Sequence, residues 1–305
     1  MKFTENKIKN ILLPGIFSAF LWGSAFPVLK ITYEDMNLSA GDISGKMILA
    51  GIRFFFAGLI LLLFARIKNN KFSISLNTFF FIVLLGILQT SLQYFFFYNG
   101  LANTSGIKGA VLASAGIFFT AFFSPFVYKN DRLTIRKQSG LLLGLAGIIL
   151  INWNREFHFQ FSLMGEGFLI FSGIVSAFGN LIAKNLSQEN SPLTVSGLQM
   201  TIGSLFLFMT GSINSSIGEL QFHSLSLILL FYSSFLSAAA FGIWYYLLKH
   251  HKPGEISLFK FLIPVFGAFL SFLFLPAESL NILFFAALIL VSTGIIIIFT
   301  KKKNE

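Results

Sequence analysis

The polar side chains that interrupt the longest apolar segments of this chain are mostly amides and aromatic rings. Gln89 and Gln93 are four residues apart, which places them on one face if their segment is helical. An amide in an apolar medium needs a hydrogen-bond partner, so it turns towards the protein interior or towards water. The sequence therefore predicts an interior cavity with amide and aromatic walls. Its expected substrate-binding residues are Trp22, Gln89, Gln93, Asn180, Trp244 and Tyr245. The alternative is that the same side chains only bond neighbouring helices or anchor them at an interface.

Two basic residues, Arg53 and Lys260, lie well inside apolar runs. Each lies roughly 9 Å from the N-terminal end of its run by the rise of an α-helix. Either the long side chain reaches back to the nearer interface, or it stays inside and binds an anionic group of a substrate. Glu166 and Glu278 are near or beyond the ends of apolar runs. No carboxylate is therefore predicted at mid-depth to relay protons.

Several kinds of chemistry lack their signatures in the sequence. There is no Cys and no GxxxxGK[ST] phosphate loop, so neither a thiolate metal site nor ATP-driven pumping is predicted. His158, His223, His250 and His251 lie in connections and lack the spacing of metal ligands. The net charge of +10 is spread over short connections, whereas nucleic acid requires a basic face. We predict no metal, no cofactor and no nucleic-acid partner.

The elements that must position these residues are long apolar helices. Hydrophobic residues make up 55% of the chain and charged residues 11%, which is typical of a membrane protein. Windows of about 20 apolar residues, the length that crosses a bilayer as a helix, predict ten spans. They are expected at residues 11–31, 47–65, 77–98, 107–128, 138–152, 163–184, 193–212, 224–248, 255–275 and 280–299. Pro264 in the ninth is the predicted hinge, because proline removes a backbone donor.

The distribution of basic residues predicts the orientation of these helices. Lys and Arg concentrate on one side, and the acidic turns fall on the other. The basic side includes Arg66, Lys68, Lys129, Arg132, Lys137, Lys249 and the tail Lys301–Lys303. By the positive-inside rule both termini are expected in the cytoplasm, in a bacterial inner membrane. The first segment is expected to be a retained helix rather than a cleaved leader, because nine more follow.

The chain also contains an internal repeat. A gapless shift lays residues 98–151 onto residues 245–298, with Tyr98 on Tyr245 and Asp131 on Glu278. Each unit has five predicted helices, and an odd number inverts the second unit relative to the first. The sequence thus predicts an all-α integral membrane protein of two inverted five-helix repeats, residues 1–152 and 163–305, joined by a connection at 153–162.

Four motifs follow one another along the chain: residues 21–26, residues 52–54, residues 131–133 leading to Gly140, Gly144 and Gly147, and residues 263–265 leading to Glu278 and Gly294. In this order they resemble the EamA-like family of the drug/metabolite transporter superfamily. The resemblance implies a ten-helix carrier that exports amino acids, metabolites or toxic compounds by alternating access. The family's usual Glu is Asp131 here, and its usual proline near Ile117 is missing.

The leading hypothesis is a secondary transporter or facilitator for a small metabolite, with amino acids or their analogues as the first class. The expected partners are the substrate and the lipid bilayer, and the chain is expected to be a monomer or a homodimer. Two alternatives stay open: an integral membrane enzyme acting on lipid-linked substrates, and a non-transporting partner subunit. Neither requires an inverted repeat, which favours the carrier.

Overall fold

The computed structural model describes residues 2–39, 41–69, 74–104, 106–153, 161–215, 217–276 and 282–299. Within these ranges every regular element is a helix, so the predicted all-helical class is confirmed for this part of the chain. Three features of the sequence lie outside the described residues. They are most of the connection at 153–162 with His158, the turn at Glu278, and the tail Lys301–Lys303.

The helices are labelled in chain order. The first seven are α1 (Lys2–Asp35), α2 (Ile43–Ile67), α3 (Leu76–Gly86), α4 (Gln93–Ala102), α5 (Gly106–Ala113), α6 (Ala115–Val127) and α7 (Ile135–Ile151). The next six are α8 (Phe168–Glu189), α9 (Pro192–Gly211), α10 (Ser224–His250), α11 (Pro253–Ile256), α12 (Leu262–Phe274) and α13 (Ile282–Phe299). Two π-helical turns, Ile87–Leu92 and Leu163–Gly167, and two 3-10 turns, Ile217–Glu219 and Ser257–Phe261, complete the set.

Eight helical stretches of the described chain are long and apolar enough to cross a membrane. They coincide with eight of the ten predicted spans. The fourth and fifth predicted spans are helical too, but their apolar stretches are shorter: Val111–Val127, which includes the end of α5 and all of α6, and Ile135–Ile151. The protein is thus a multi-pass helical membrane protein, and its count of ten crossings stays a prediction.

Polar caps fix where several of these helices begin. Asp42 accepts a hydrogen bond from the Gly45 amide at 2.8 Å before α2, and Ser75 accepts one from the Thr78 amide at 3.2 Å before α3. Each cap satisfies an amide that has no partner within the first helical turn. The polar residue before the apolar run is therefore the signal that starts the helix.

The helices pack in close pairs. α2 packs along α9, and α7 packs along α13; α1 contacts α10 and α12, and α8 contacts α4 and α6. α10 also contacts α2, and α3 contacts α9. Glycines allow the closest approaches: a Cβ atom on Gly203 would lie 2.2 Å from the carbonyl oxygen of Gly86. In lipid there is no hydrophobic driving force between helices, so close van der Waals packing at small residues stabilises such crossings.

Loop contacts define two faces of the molecule. On the lysine-rich face, which carries Lys68, Lys129 and Lys249, the Tyr128 hydroxyl donates to the Leu181 carbonyl at 3.0 Å. On the acidic face, which carries Asp35, Asp42 and Glu219, Asn37 donates to Gln221 at 3.1 Å and His223 contacts the Asp35 carbonyl at 2.8 Å. The helices run between these two faces.

The predicted helix at 107–128 is wrong in one respect, because it is broken at Ser114. There the chain turns between α5 and α6, with the Ser114 hydroxyl donating to the Val111 carbonyl at 2.6 Å. Under the repeat alignment Ser114 falls on Phe261, which ends the 3-10 turn before α12. The fourth predicted helix and its repeat mate are thus irregular at equivalent positions. In the fourth, the irregularity forms without a proline. Pro264 lies in the first turn of α12, just after this irregular backbone, and its role as a hinge stays a prediction.

Candidate functional site

Gln89 joins three helical segments in the interior. It lies in the π-helical turn Ile87–Leu92 and is 2% exposed. Its Nε2 atom donates to Oδ1 of Asn180 over 3.3 Å, and its Oε1 atom accepts a hydrogen bond from the Tyr245 hydroxyl. A π turn widens the helix by about one residue, and such turns are frequent at functional sites. Both polar atoms of this amide are therefore paired across helices.

Asn180 is the centre of the same arrangement. Its Oδ1 atom also accepts from the indole Nε1 of Trp244 at 3.0 Å, and its Nδ2 atom donates to the Thr120 hydroxyl at 3.4 Å. We call these five buried side chains the amide network: Gln89, Thr120, Asn180, Trp244 and Tyr245. A connected set of buried hydrogen bonds fixes each side chain in one arrangement. Sequence reasoning missed Thr120, because a threonine among phenylalanines looks like ordinary helix packing.

A pair of tryptophans and a lysine adjoin the amide network. The rings of Trp22 and Trp244 are 5.4 Å apart at 63°, and we call them the tryptophan pair. The Nζ atom of Lys260 lies 4.7 Å from the ring centre of Trp244 and 5.6 Å from that of Trp22. This side chain does not snorkel, because its ammonium group points at the interior rings. The site therefore combines neutral hydrogen-bonding groups, flat apolar surfaces and one positive charge.

Arg53 lies at a second interior position. It is 5% exposed, its guanidinium lies 4.2 Å from the ring centre of Phe54, and its Nε atom is buried without a hydrogen-bond partner. The Phe54 ring contacts Tyr94 at 4.6 Å and Phe241 at 6.3 Å. Phe241 in turn contacts Trp22 at 5.3 Å. A row of aromatic rings thus separates Arg53 from the tryptophan pair.

The remaining polar candidates lie outside the amide network. Gln93 is half-buried and its Oε1 atom has no partner, so the structure does not bring it into the network. Glu166 is held by the Thr104 hydroxyl and the Ser162 amide, each at 2.8 Å, near the acidic face. Six of the eight predicted binding residues therefore meet at one place: Trp22, Gln89, Asn180, Trp244, Tyr245 and Lys260.

A buried ion pair ties the two halves together at the lysine-rich face. Asp131 is fully buried and accepts hydrogen bonds from Lys137 and Ser124 of the first half. Its Oδ2 atom also accepts from the Gly254 amide of the second half at 2.8 Å. We call Ser124, Asp131, Lys137 and Gly254 the clamp. Position 254 is closely packed, because a Cβ atom there would lie 3.0 Å from the Lys137 ammonium and 3.1 Å from the Asp131 carboxylate, and these side chains would have to shift to admit it.

Lys184 adds a second connection beside the clamp. Its Nζ atom donates to the carbonyls of Leu248 and His251, at 2.8 Å each, and so satisfies the C-terminal end of α10. It also lies 5.3 Å from the ring centre of Tyr128. The Tyr128 hydroxyl in turn donates to the Leu181 carbonyl at 3.0 Å. The lysine-rich face is thus closed by polar contacts.

The acidic face is open by comparison. A cavity of about 370 Å³ lies there, between the ends of α2, α4 and α9. Its lining includes Asp42, Met47, Phe95, Asn99 and Thr210, and the cavity stops short of the amide network. Phe95 and Asn99 belong to the same helix as Tyr94. The opening therefore begins beside the aromatic row that leads from Arg53 to the tryptophan pair.

The described residues contain no group of three or more His, Asp or Glu side chains that could hold a metal ion. The polar groups of the site are amides, hydroxyls, two indoles and one ammonium group. This set can bind a ligand by hydrogen bonds, ring contacts and charge. It contains no nucleophile activated by a neighbouring base.

Comparison with known proteins gives consistent results. The model of the EamA-like transporter family matches residues 9–153 and again residues 163–300. An uncharacterized transporter of Bacillus subtilis, YvbV, is 27% identical over 95% of this chain and 91% of its own length. A chloroplastic WAT1-related protein of Arabidopsis thaliana is 28% identical over 89% of this chain and 67% of its own. The uncharacterized inner membrane transporter YedA of Escherichia coli is 22% identical over 85% of this chain and 81% of its own length.

A solved crystal structure shares the fold. It superposes with a TM-score of 0.76 over 95% of this chain and 96% of the other, at 15% sequence identity. The family match covers nearly the whole chain in two consecutive stretches. The protein therefore belongs to the EamA-like transporter family.

Proposed function

We propose that the protein is a secondary transporter or facilitator that exports small metabolites by alternating access, with two inverted five-helix halves and ten membrane crossings. The amide network and the tryptophan pair are its substrate site. Amino acids and their analogues are the first candidate substrates, as the family resemblance suggests. The chain works as a monomer or a homodimer.

The observation that carries this proposal is the symmetry of the helix contacts. The repeat makes α1 equivalent to α8, α2 to α9, α3/α4 to α10, α5/α6 to α11/α12, and α7 to α13. The contacts of α1 with α12 and α10 then correspond to those of α8 with α6 and α4. The α2–α10 contact corresponds to α9–α3, and the α2–α9 and α7–α13 pairs map onto themselves. This pattern supports a twofold relation between the two halves, which the proposal places about an axis in the membrane plane.

Two further facts support the same arrangement. The family model matches the chain in two stretches whose boundary falls at the predicted connection. The amide network draws Gln89 and Thr120 from the first half, and Asn180, Trp244 and Tyr245 from the second. A rocking movement of one half against the other would change the access to a site so placed.

For orientation we propose that the lysine-rich face and both termini are cytoplasmic. The Lys and Arg residues near the helix ends support this assignment, by the rule that governs short-loop membrane proteins. A reporter that is active only outside the cytoplasm, fused after Asn214, should be active, and the same reporter fused after Asn69 should be silent. The reverse pattern of reporter activity would show that the lysine-rich face lies outside the cytoplasm.

Transport by the purified protein tests the proposed function. Proteoliposomes are loaded with labelled amino acids and small metabolites, and efflux is followed with and without an imposed pH gradient. Efflux of one class above protein-free liposomes supports the proposal, and its dependence on the gradient separates a coupled carrier from a facilitator. Correctly folded protein that moves nothing would favour the partner-subunit alternative.

A further inference from the structure

The ammonium group of Lys260 is surrounded differently from those of other buried lysines. Lys137 is ion-paired with Asp131, and Lys184 donates to two backbone carbonyls at 2.8 Å each. Lys260 has no hydrogen bond and no ion pair within the part of the chain that the structure describes. Its contacts there are the faces of the tryptophan pair.

These ring contacts offset only part of the cost of placing a charge in the interior. A cation–π contact is weaker than the water contacts that an ammonium ion loses when it is even partly buried. The difference favours a bound anion, which would supply the opposite charge that the protein itself does not.

The surroundings leave room for such an anion to approach. Phe259 and Phe261, on either side of Lys260, are 0% and 1% exposed, and Trp244 is 1% exposed. Lys260 and Trp22 are nevertheless half-buried. Both side chains contact Trp244 of the amide network, so their exposed parts lie beside that network. An ammonium group and one flat ring are therefore available together.

The geometry points to an organic carboxylate as the substrate class: its carboxylate pairs with Lys260, and its flat apolar part packs against Trp22. This inference rests on the proposed function and narrows it. The hydrogen bond from Trp244 to Asn180 holds the second ring in place behind the ammonium group. Neither the amide network nor the tryptophan pair contains a carboxylate, so a ligand's own ammonium group finds no opposite charge among them.

Tryptophan fluorescence tests this inference without requiring transport. The chain has three tryptophans, and two of them form the pair. Replacing the exposed third one, Trp153→Phe, leaves a protein whose emission reports on the site. Three probes share a phenyl ring and differ in the charge of the head group: phenylacetate, phenylacetamide and 2-phenylethylamine. We expect saturable quenching by phenylacetate, and at least tenfold weaker binding of the neutral amide and the amine.

Variants at position 260 assign the charge effect to this lysine. In the Trp153→Phe background, Lys260→Met should weaken phenylacetate binding at least tenfold, and Lys260→Arg should keep most of it. Lys249→Met, which removes a lysine that donates to the Asn190 carbonyl at the lysine-rich face, is the matched control and should change nothing. Size-exclusion profiles show whether each variant is folded.

Three results would overturn the inference: equal binding of phenylacetate and phenylacetamide, unchanged phenylacetate binding by folded Lys260→Met protein, or no saturable response to phenylacetate at all. The comparison of probes uses no substitution in the site, so a misfolded variant does not leave it undecided. If this test fails but neutral or cationic compounds show measurable efflux, the proposed transport function stands and the carboxylate inference fails. If phenylacetate binds but no compound shows efflux, the carboxylate site stands and the proposed transport function fails.

Discussion

At the scale of single residues, the site depends on side chains that hold one another. Gln89, Asn180 and Tyr245 each have a hydrogen-bond partner on another helix, and all three are at most 2% exposed. Removing one member leaves the others with unpaired polar atoms, at a cost of about 1–3 kcal/mol. These residues therefore fix the shape of the site as well as its polarity.

Gln89→Leu should lower transport at least tenfold while the protein still inserts and expresses. The leucine removes the acceptor of Tyr245 and the donor to Asn180, so both side chains are free to leave the positions that shape the site. Proteoliposome efflux, normalised to the amount of folded protein, measures the effect. Gln138→Leu, the same change at an exposed position of α7, is the control. Normal efflux by the Gln89 variant would remove this residue from the site.

Much of the site was predictable at this scale, because a polar group in an apolar helix must find a partner. That cost predicts interior partners for Gln89 and Asn180, and the structure places both in the amide network. Lys137 was not predictable in its role, since it looks like one more charge of the basic side. Only the fold brings its ammonium group to a buried Asp131. Gln93 carries the same sequence signal as Gln89, yet its Oε1 atom has no partner in the structure.

At the scale of helices, close packing of α7 on α13 depends on glycine. A Cβ atom on Gly140 would lie 2.8 Å from the Gly294 carbonyl oxygen and 2.6 Å from the Ile298 side chain. Gly140→Ala should therefore lower thermal stability, by about 1–3 kcal/mol, despite the gain of about 1 kcal/mol in helix propensity. The midpoint of thermal unfolding in detergent measures it. Gly41→Ala, with nothing within 4 Å, should leave the midpoint unchanged. An unchanged midpoint for the Gly140 variant would contradict the claim that stability depends on the close packing of α7 on α13.

The clamp makes a second prediction at this scale. Lys137→Met leaves the buried Asp131 carboxylate without its counter-charge, which costs about 3–5 kcal/mol. The unfolding midpoint should fall, and adding Asp131→Asn should restore part of it, because the unpaired charge is then removed. Lys129→Met, an exposed lysine in the same connection, serves as the control. A double variant as unstable as the single one would show that the ion pair is not what holds this face.

The helix positions follow from the length of the apolar runs, and eight of the predicted spans are confirmed as long apolar helices. The local irregularities could not be predicted in the same way. The break at Ser114 and the π turn at Gln89 change which side chains face the interior without changing the hydrophobic pattern. They depend on the neighbouring helices, which a single segment does not specify.

At the scale of the whole molecule, the structure is closed by the clamp at the lysine-rich face and has a cavity at the acidic face. The candidate site lies between these two ends and draws side chains from both stretches that the family model matches. The proposed alternating access predicts that opening one end closes the other, because the same two halves would move at both ends. Independent motions of the two ends would not have this property.

Reciprocal thiol labelling in lipid nanodiscs, where a maleimide reaches both faces, is the most direct test, since the chain has no cysteine of its own. Asn99→Cys places a thiol in the acidic-face cavity, and Ser257→Cys places one behind the clamp at a fully buried position. The first should label and the second should be protected. Adding Asp131→Asn, which weakens the clamp, should expose the thiol at 257 and protect the thiol at 99. Labelling that rises at 257 while the thiol at 99 stays equally reactive would contradict the account.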